Sequence, residues 1–133
     1  MNSNVLIVDD CESICKVISG ALEIESISYT VCMSGIKAKS LIYTHKFSTV
    51  ILDINLADAD SFELATKIRQ QSLLTQIIIL SGNLNESIFY EFHPLGISDF
   101  FQKSHLNLVH ILESIKLGHS RQERWSSLFP EIK

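Results

Sequence analysis

A chain of 133 residues with 46% hydrophobic composition is sized for one globular domain and is too apolar to be disordered. Its net charge of −4 excludes a chain-wide basic footprint for nucleic acid or for an anionic membrane surface. No apolar run approaches the ~20 residues that a membrane-spanning helix needs. The start Met1-Asn2-Ser3-Asn4 has no positive charge and leads into four apolar residues, so neither a span nor a signal peptide is expected, and the expected location is the cytoplasm.

The first strand is predicted over residues 4–9, where Val5-Leu6-Ile7-Val8 runs straight into Asp9-Asp10. A helix follows over 12–23, with Ile14, Val17, Ile18, Ala21 and Leu22 repeating at helical spacing as its apolar face. Cys11 and Cys15, four apart at its start, are read as buried, inert thiols; with Cys32 they make an odd count without framework spacing, as in a reducing compartment. A short strand is predicted over 28–32. Ser34 then caps a second helix that runs to 44, with Leu41 and Ile42 inward.

The third strand, 48–53, is four apolar or β-branched residues ending in Asp53. Such a run reads as a strand buried on both faces of a parallel sheet. After the polar loop 54–60, Asp60 or Ser61 caps a third helix to 71, with Leu64, Ala65 and Ile68 inward. Strand four is Ile77-Ile78-Ile79-Leu80, read from 76 and leading into Ser81. A short fourth helix over 85–93 is limited by Pro94 and Gly96. Ile88, Phe92 and Leu95 share its buried face, leaving Phe89 and Tyr90 as candidate partner anchors. The fifth strand is 98–102. A fifth helix is predicted over 105–117, with Gly118 as its C-cap and the polar stretch 119–133 outside it. That stretch is either a frayed tail or a docking segment anchored by Trp125, Leu128 and Phe129. Strict βα alternation gives an α/β fold with a parallel sheet covered on both faces.

The chemistry is expected where the strands end, because open α/β sheets bind ligands at the carboxyl edge. A single Asp there is usually a turn residue, but Asp9, Asp10 and Asp53 converge on one edge with the Ser81 hydroxyl. Clustered carboxylates raise one another's pKa and call for an offsetting cation. Mg²⁺ suits a few carboxylates, a backbone carbonyl and retained water. Lys103, after Phe100-Phe101 at the end of strand five, is placed to pair with the acids or to hold an anion.

In these residues the chain resembles the receiver domain of two-component response regulators, the single-domain chemotaxis receiver among them. The motifs are Asp9-Asp10 after strand one, Asp53 after strand three, Ser81 after strand four and Lys103 after strand five, spaced by 43, 28 and 22 residues from Asp10 onward. The resemblance covers residues 3–118. It implies a flavodoxin-like, doubly wound sheet of five parallel strands in the order 2-1-3-4-5 with five helices. The receiver would be residues 1–118 and the tail or linker 119–133. Asp53 would be the phosphoacceptor, taking its phosphoryl group from a sensor histidine kinase or a phosphotransfer protein. Mg²⁺ would be held by Asp10 and Asp53, by Asp9 largely through water, and by the Asn55 backbone carbonyl. Lys103 and Ser81 would contact the phosphate, and Phe100 would be the switch aromatic. Asn55 and Asn83 would set the lifetime of the phosphate. The implied output is a switched surface of helix four, strand five and helix five, meeting a protein target or a second copy through residues such as Phe89 and Tyr90. Nothing in it implies an enzyme with an external substrate, direct nucleic-acid binding or membrane insertion.

Three positions depart from the family pattern: Ser104 replaces the proline usual after the lysine, and Ala57 and Ser61 stand where Pro and Gly are common. A phosphatase of the haloacid dehalogenase type would need an Asp where Asn55 stands. A flavodoxin-like electron carrier would need a phosphate-cradling loop after strand one. The remaining alternative is an unphosphorylated receiver-like module that only binds proteins.

Overall fold

The structure, a computed structural model, describes residues 4–132; the N-terminal reading on residues 1–3 lies outside them. The apolar runs become strands β1 (Asn4–Val8), β3 (Thr49–Asp53) and β4 (Gln76–Ser81), flanked by β2 (Ser28–Cys32) and β5 (Asp99–Gln102). All pair in parallel in the order β2-β1-β3-β4-β5, the order that the resemblance implies. Alternation along each strand divides the core in two. Leu6, Val8, Val50, Leu52, Ile77 and Ile79 face the layer of α2 (Gly35–Thr44), α3 (Ser61–Gln71) and α4 (Glu86–Phe92). Val5, Ile7, Ile51, Ile78 and Leu80 face α1 (Glu12–Ile24) and α5 (Leu108–Leu128). Residues fully buried on both faces have no use for a polar side, so these strands read as continuous apolar runs.

Register aligns the strand ends. Val8 lies beside Leu52, Asp53 beside Leu80 and Ser81 beside Gln102. Asp9, Asp53, Ser81 and Lys103 therefore reach one edge of the sheet. The caps follow the sequence: the Ser34 hydroxyl accepts from the Lys37 N–H, the Asp60 carboxylate from Phe62 and Glu63, and the Asn85 side chain from Ile88. No helix of the described residues is long and apolar enough to cross a membrane.

Three expectations are corrected. On α1 the buried stripe is Cys15, Ile18 and Leu22, and Val17 is 47% exposed: one residue per turn suffices where the helix lies flat on β-branched neighbours. Cys11 is half-buried rather than buried, because it sits at the N-cap with its thiol against the Ser13 hydroxyl. The largest departure is α5, which does not stop at Gly118 but continues to Leu128. Gly118 serves close packing instead of capping. The Gln76 amide lies against its Cα, and a Cβ there would fall 1.6 Å from Gln76 Nε2.

Residues 119–128 thus continue α5 across the lower end of the sheet. They are anchored by Gln122 and not by the aromatic residues. The buried Gln122 amide donates to the carbonyls of Ser48 and Leu74, both at 2.6 Å, while Trp125, Leu128 and Phe129 stay substantially exposed. Removing residues 119–133 is expected to destabilise the protein by about 2–3 kcal/mol, and Gln122→Ala alone by about 1–2, since a stranded buried acceptor costs that much. Urea denaturation of the three proteins measures it; equal midpoints would show that the segment does not dock.

Candidate functional site

β1 and β3, side by side at the sheet centre, deliver two carboxylates that are almost wholly buried, Asp9 at 0% and Asp53 at 1% exposure. Between them stands one cation. Lys103 Nζ lies 2.8 Å from Asp9 Oδ2 and 3.0 Å from Asp53 Oδ2. The remaining carboxylate oxygens are held by the backbone two residues on. Asp9 Oδ1 accepts from the Cys11 N–H at 2.8 Å, and Asp53 Oδ1 from the Asn55 N–H at 2.9 Å. These local bonds hold one oxygen of each acid and leave the other, Oδ2 in both, facing Lys103.

Asp10 completes the acid set from the solvent side. It is exposed, and its Oδ2 accepts from the Ala57 N–H at 3.2 Å. One oxygen from each of Asp9, Asp10 and Asp53 falls within 4.8 Å of the others. Burial is the largest influence on Asp9 and pushes its carboxyl above the usual carboxylate range, with the Asp53 charge adding to it against the opposing Lys103 bond. For Lys103 burial acts downward, but its bonds to Asp9 and Asp53 outweigh it and hold the ammonium above its ordinary value. Three carboxylates against one ammonium leave the cluster short of positive charge. Hard oxygen donors, one of them solvent-facing, are the donor set a small divalent cation takes.

The hydroxyl side of the site is also assembled. Ser81 Oγ, at the end of β4, is 3.5 Å from Asn55 Oδ1 and accepts from the Asn83 N–H at 3.1 Å. Asn55 thereby links the acidic and hydroxyl halves. Phe100 and Phe101 pack on opposite faces of β5, Phe100 in the layer of α4, where its ring lies 5.5 Å from that of Phe89. Phe89 is 45% exposed and Tyr90 73%, next to a shallow apolar depression between Leu84, Phe89 and Phe100.

Two participants escaped sequence reasoning. Ser61 caps nothing; it is buried, and its hydroxyl donates to the Asp53 carbonyl at 2.6 Å, tethering the carboxyl end of β3. The position eight after Asp53 was the signal, read from the sequence as a candidate cap and as a missing glycine. The buried thiol of Cys15 donates to the Asp9 carbonyl at 3.3 Å, and burial pushes its pKa up to about 11, which keeps it a neutral donor.

The profile of the response regulator receiver domain matches residues 5–116. The chain is 30% identical over 103 residues to the transcriptional regulatory protein SrrA of Staphylococcus aureus, covering 77% of this chain and 42% of that protein, so it spans less than half the length of this curated relative. Among solved structures, the receiver domain of the Francisella response regulator 1452 superposes with a TM-score of 0.81 at 26% identity, covering 90% of this chain and 98% of that one. A CheY-like receiver domain protein of Methanospirillum hungatei gives 0.86 at 23% identity over 93% and 98% of the two chains, a likeness of fold.

Proposed function

The chain belongs to the response regulator receiver family, and we propose that it is a working phosphoacceptor, taking a phosphoryl group on Asp53 from a phosphohistidine donor. The observation that carries this reading is the Lys103 ammonium shared between two buried carboxylates, with a third acid beside them. Receiver-like modules that only bind proteins have no need of so costly an arrangement; each buried ion carries a desolvation penalty of several kcal/mol.

In this reading Asp53 Oδ2 attacks phosphorus in line with the leaving imidazole of the donor. The bond to nitrogen breaks and the acyl phosphate forms. Lys103 then moves its ammonium from the Asp53 carboxylate to a phosphate oxygen. Ser81 gives up its weak contact to Asn55 and donates to a second phosphate oxygen. Asp10, Asp53 and the Asn55 carbonyl would hold Mg²⁺, with Asp9 behind them; when bound, the ion neutralises charge on the transferred group. Asn55 and Asn83 flank the approach of water and set the lifetime of the phosphate.

Ser81 ends β4, so its displacement frees the space next to Phe100. The ring then turns inward and breaks its tilted contact with Phe89, altering the surface of α4, β5 and α5. A phenylalanine carries no hydroxyl to desolvate in that movement. The reshaped surface, with Phe89 and Tyr90, is where a downstream protein or a second copy docks. The protein is in this view a cytoplasmic signalling switch partnered by a histidine kinase or phosphotransfer protein. Its receiver is residues 1–118, and residues 119–133 follow as the tail, of which 119–128 extend α5 against the sheet.

Amide NMR tests this reading. Mg²⁺ is expected to perturb Asp9, Asp10 and Asp53, and subsequent beryllofluoride to shift Ser81, Phe100 and α4 in the wild type but not in Asp53→Asn. Binding of neither would make the chain an interaction module.

A further inference from the structure

The loop between β3 and α3, residues 54–60, carries Asn55, yet the ring that would stiffen it is absent at Ala57. The structure assigns that task to Asp58: we infer that Asp58 is a positioning residue, fastening this loop to the N-terminus of α2 so that Asn55 and Asp10 are held in place. The inference deepens the phosphoacceptor reading and rests on it.

Asp58 Oδ1 accepts from the Gly35 N–H at 2.8 Å, and Oδ2 from the Ser34 hydroxyl at 2.8 Å, with the Ile36 N–H at 3.5 Å. α2 has no acidic residue in its own first turn. The carboxylate that its N-terminal N–H groups and dipole favour comes instead from 22 to 24 residues away in sequence. The two segments meet without a gap. Gly35 is buried, and a Cβ on it would lie 2.3 Å from Ala59 Cβ and 3.0 Å from Asp58 Oδ1.

The opposite side of the same loop faces the acids. The Asn55 N–H binds Asp53, and the Ala57 N–H binds Asp10. Three of the four residues 55–58 are thus tied in turn to the phosphoacceptor, to the exposed metal-facing acid and to a neighbouring helix. Ala57 is a substitution with a consequence: a proline has no N–H, so it could not donate to Asp10. The ring's rigidity is exchanged for a bond to the site, and Asp58 restores the restraint from outside. Without it, Asp10 loses its fixed backbone donor and the Asn55 carbonyl loses its fixed direction. Loss of such outer supports weakens metal binding by about 10-fold or more.

The test compares wild type, Asp58→Ala and Asp58→Asn, which keeps an acceptor but not the charge. Mg²⁺ affinity is read by NMR titration, and phosphorylation by acetyl phosphate is followed against Mg²⁺ concentration. Asp58→Ala is expected to raise the Mg²⁺ concentration for half-maximal rate about 10-fold, leave the maximal rate at saturating Mg²⁺ unchanged, and leave α2 helical by its amide shifts. Asp58→Asn should fall between. An unchanged Mg²⁺ dependence overturns the inference, as does a fall in maximal rate that Mg²⁺ cannot restore. Should the wild type itself take neither Mg²⁺ nor phosphoryl, the phosphoacceptor reading fails instead. The positioning claim is then decided by the amide shifts of Asn55 and Ala57 in the metal-free proteins: displaced in Asp58→Ala if it holds, unmoved if it does not.

Discussion

Asp53→Asn is expected to abolish phosphoryl acceptance and at the same time to stabilise the metal-free protein by about 1 kcal/mol. The first effect follows from removing the nucleophilic oxygen. An amide oxygen in the same place cannot form a stable acyl phosphate, and Asp10, the exposed acid of the cluster, has no ion pair with Lys103. The second effect runs against the usual cost of a core substitution. The site buries two like charges around one ammonium, and an Asn at position 53 would leave a single Lys103–Asp9 pair. Its side-chain oxygen would still accept from the Asn55 N–H, so no backbone donor is stranded. Calorimetry with chelator present reads the stability, and autoradiography after incubation with a labelled donor reads the acceptance. Stabilisation without loss of labelling would move the phosphoacceptor elsewhere. Loss of both would mean that Asp53 serves the fold.

Arg69→Ala is expected to be strongly destabilising for a change away from both the site and the apolar core, at about 3 kcal/mol. Arg69, in the last turn of α3, spends its whole guanidinium on main-chain carbonyls. Nε donates to Leu95 at 2.8 Å. Nη1 serves Ser72, Leu73 and Thr75 at 3.1, 2.7 and 2.9 Å, and Nη2 donates to Gly96 at 3.2 Å. These carbonyls belong to the turn that feeds β4 and to the turn that feeds β5, so one side chain sets the entry of two adjacent strands. Burial disfavours the cation and lowers its pKa, yet five fixed acceptors keep it bound. Alanine leaves those acceptors stranded. Lysine restores a charge but not the planar fork, and should recover less than half of the loss. Urea unfolding measures all three proteins. Because Arg69 lies at the opposite end of the sheet from Asp53, phosphoryl acceptance below the melting transition should be unaffected. A loss under 1 kcal/mol for Arg69→Ala would show that water replaces the guanidinium.

What the sequence made legible, and what it hid, has a physical pattern. Val5–Val8, Val50–Leu52 and Ile77–Leu80 announce buried parallel strands because burial on both faces removes alternation, and the residues at their ends follow by register. Asp9, Asp10, Asp53, Ser81 and Lys103 were therefore placeable from the chain alone. Arg69, Asp58 and Gln122 were not. Each is a polar residue in a polar stretch, and most of its partners are backbone carbonyls or N–H groups, which carry no side-chain signature, several of them more than 20 residues away. Gly118 was misread for the same reason. A glycine after an apolar helical stripe looks like a stop, whereas its real neighbour, Gln76, approaches only after the sheet has formed. Val17 shows the limit of periodicity itself: the apolar spacing identified the helix, but the sheet's shape selected which stripe it buries.

The most direct test of the central claim is to incubate the intact protein with acetyl phosphate and Mg²⁺, reduce it with borohydride, and map the modified residue by peptide mass spectrometry. The account predicts one phosphoryl group per chain, lost on treatment with hydroxylamine, dependent on Mg²⁺ and confined to Asp53. No incorporation, or incorporation on a residue other than Asp53, would contradict it.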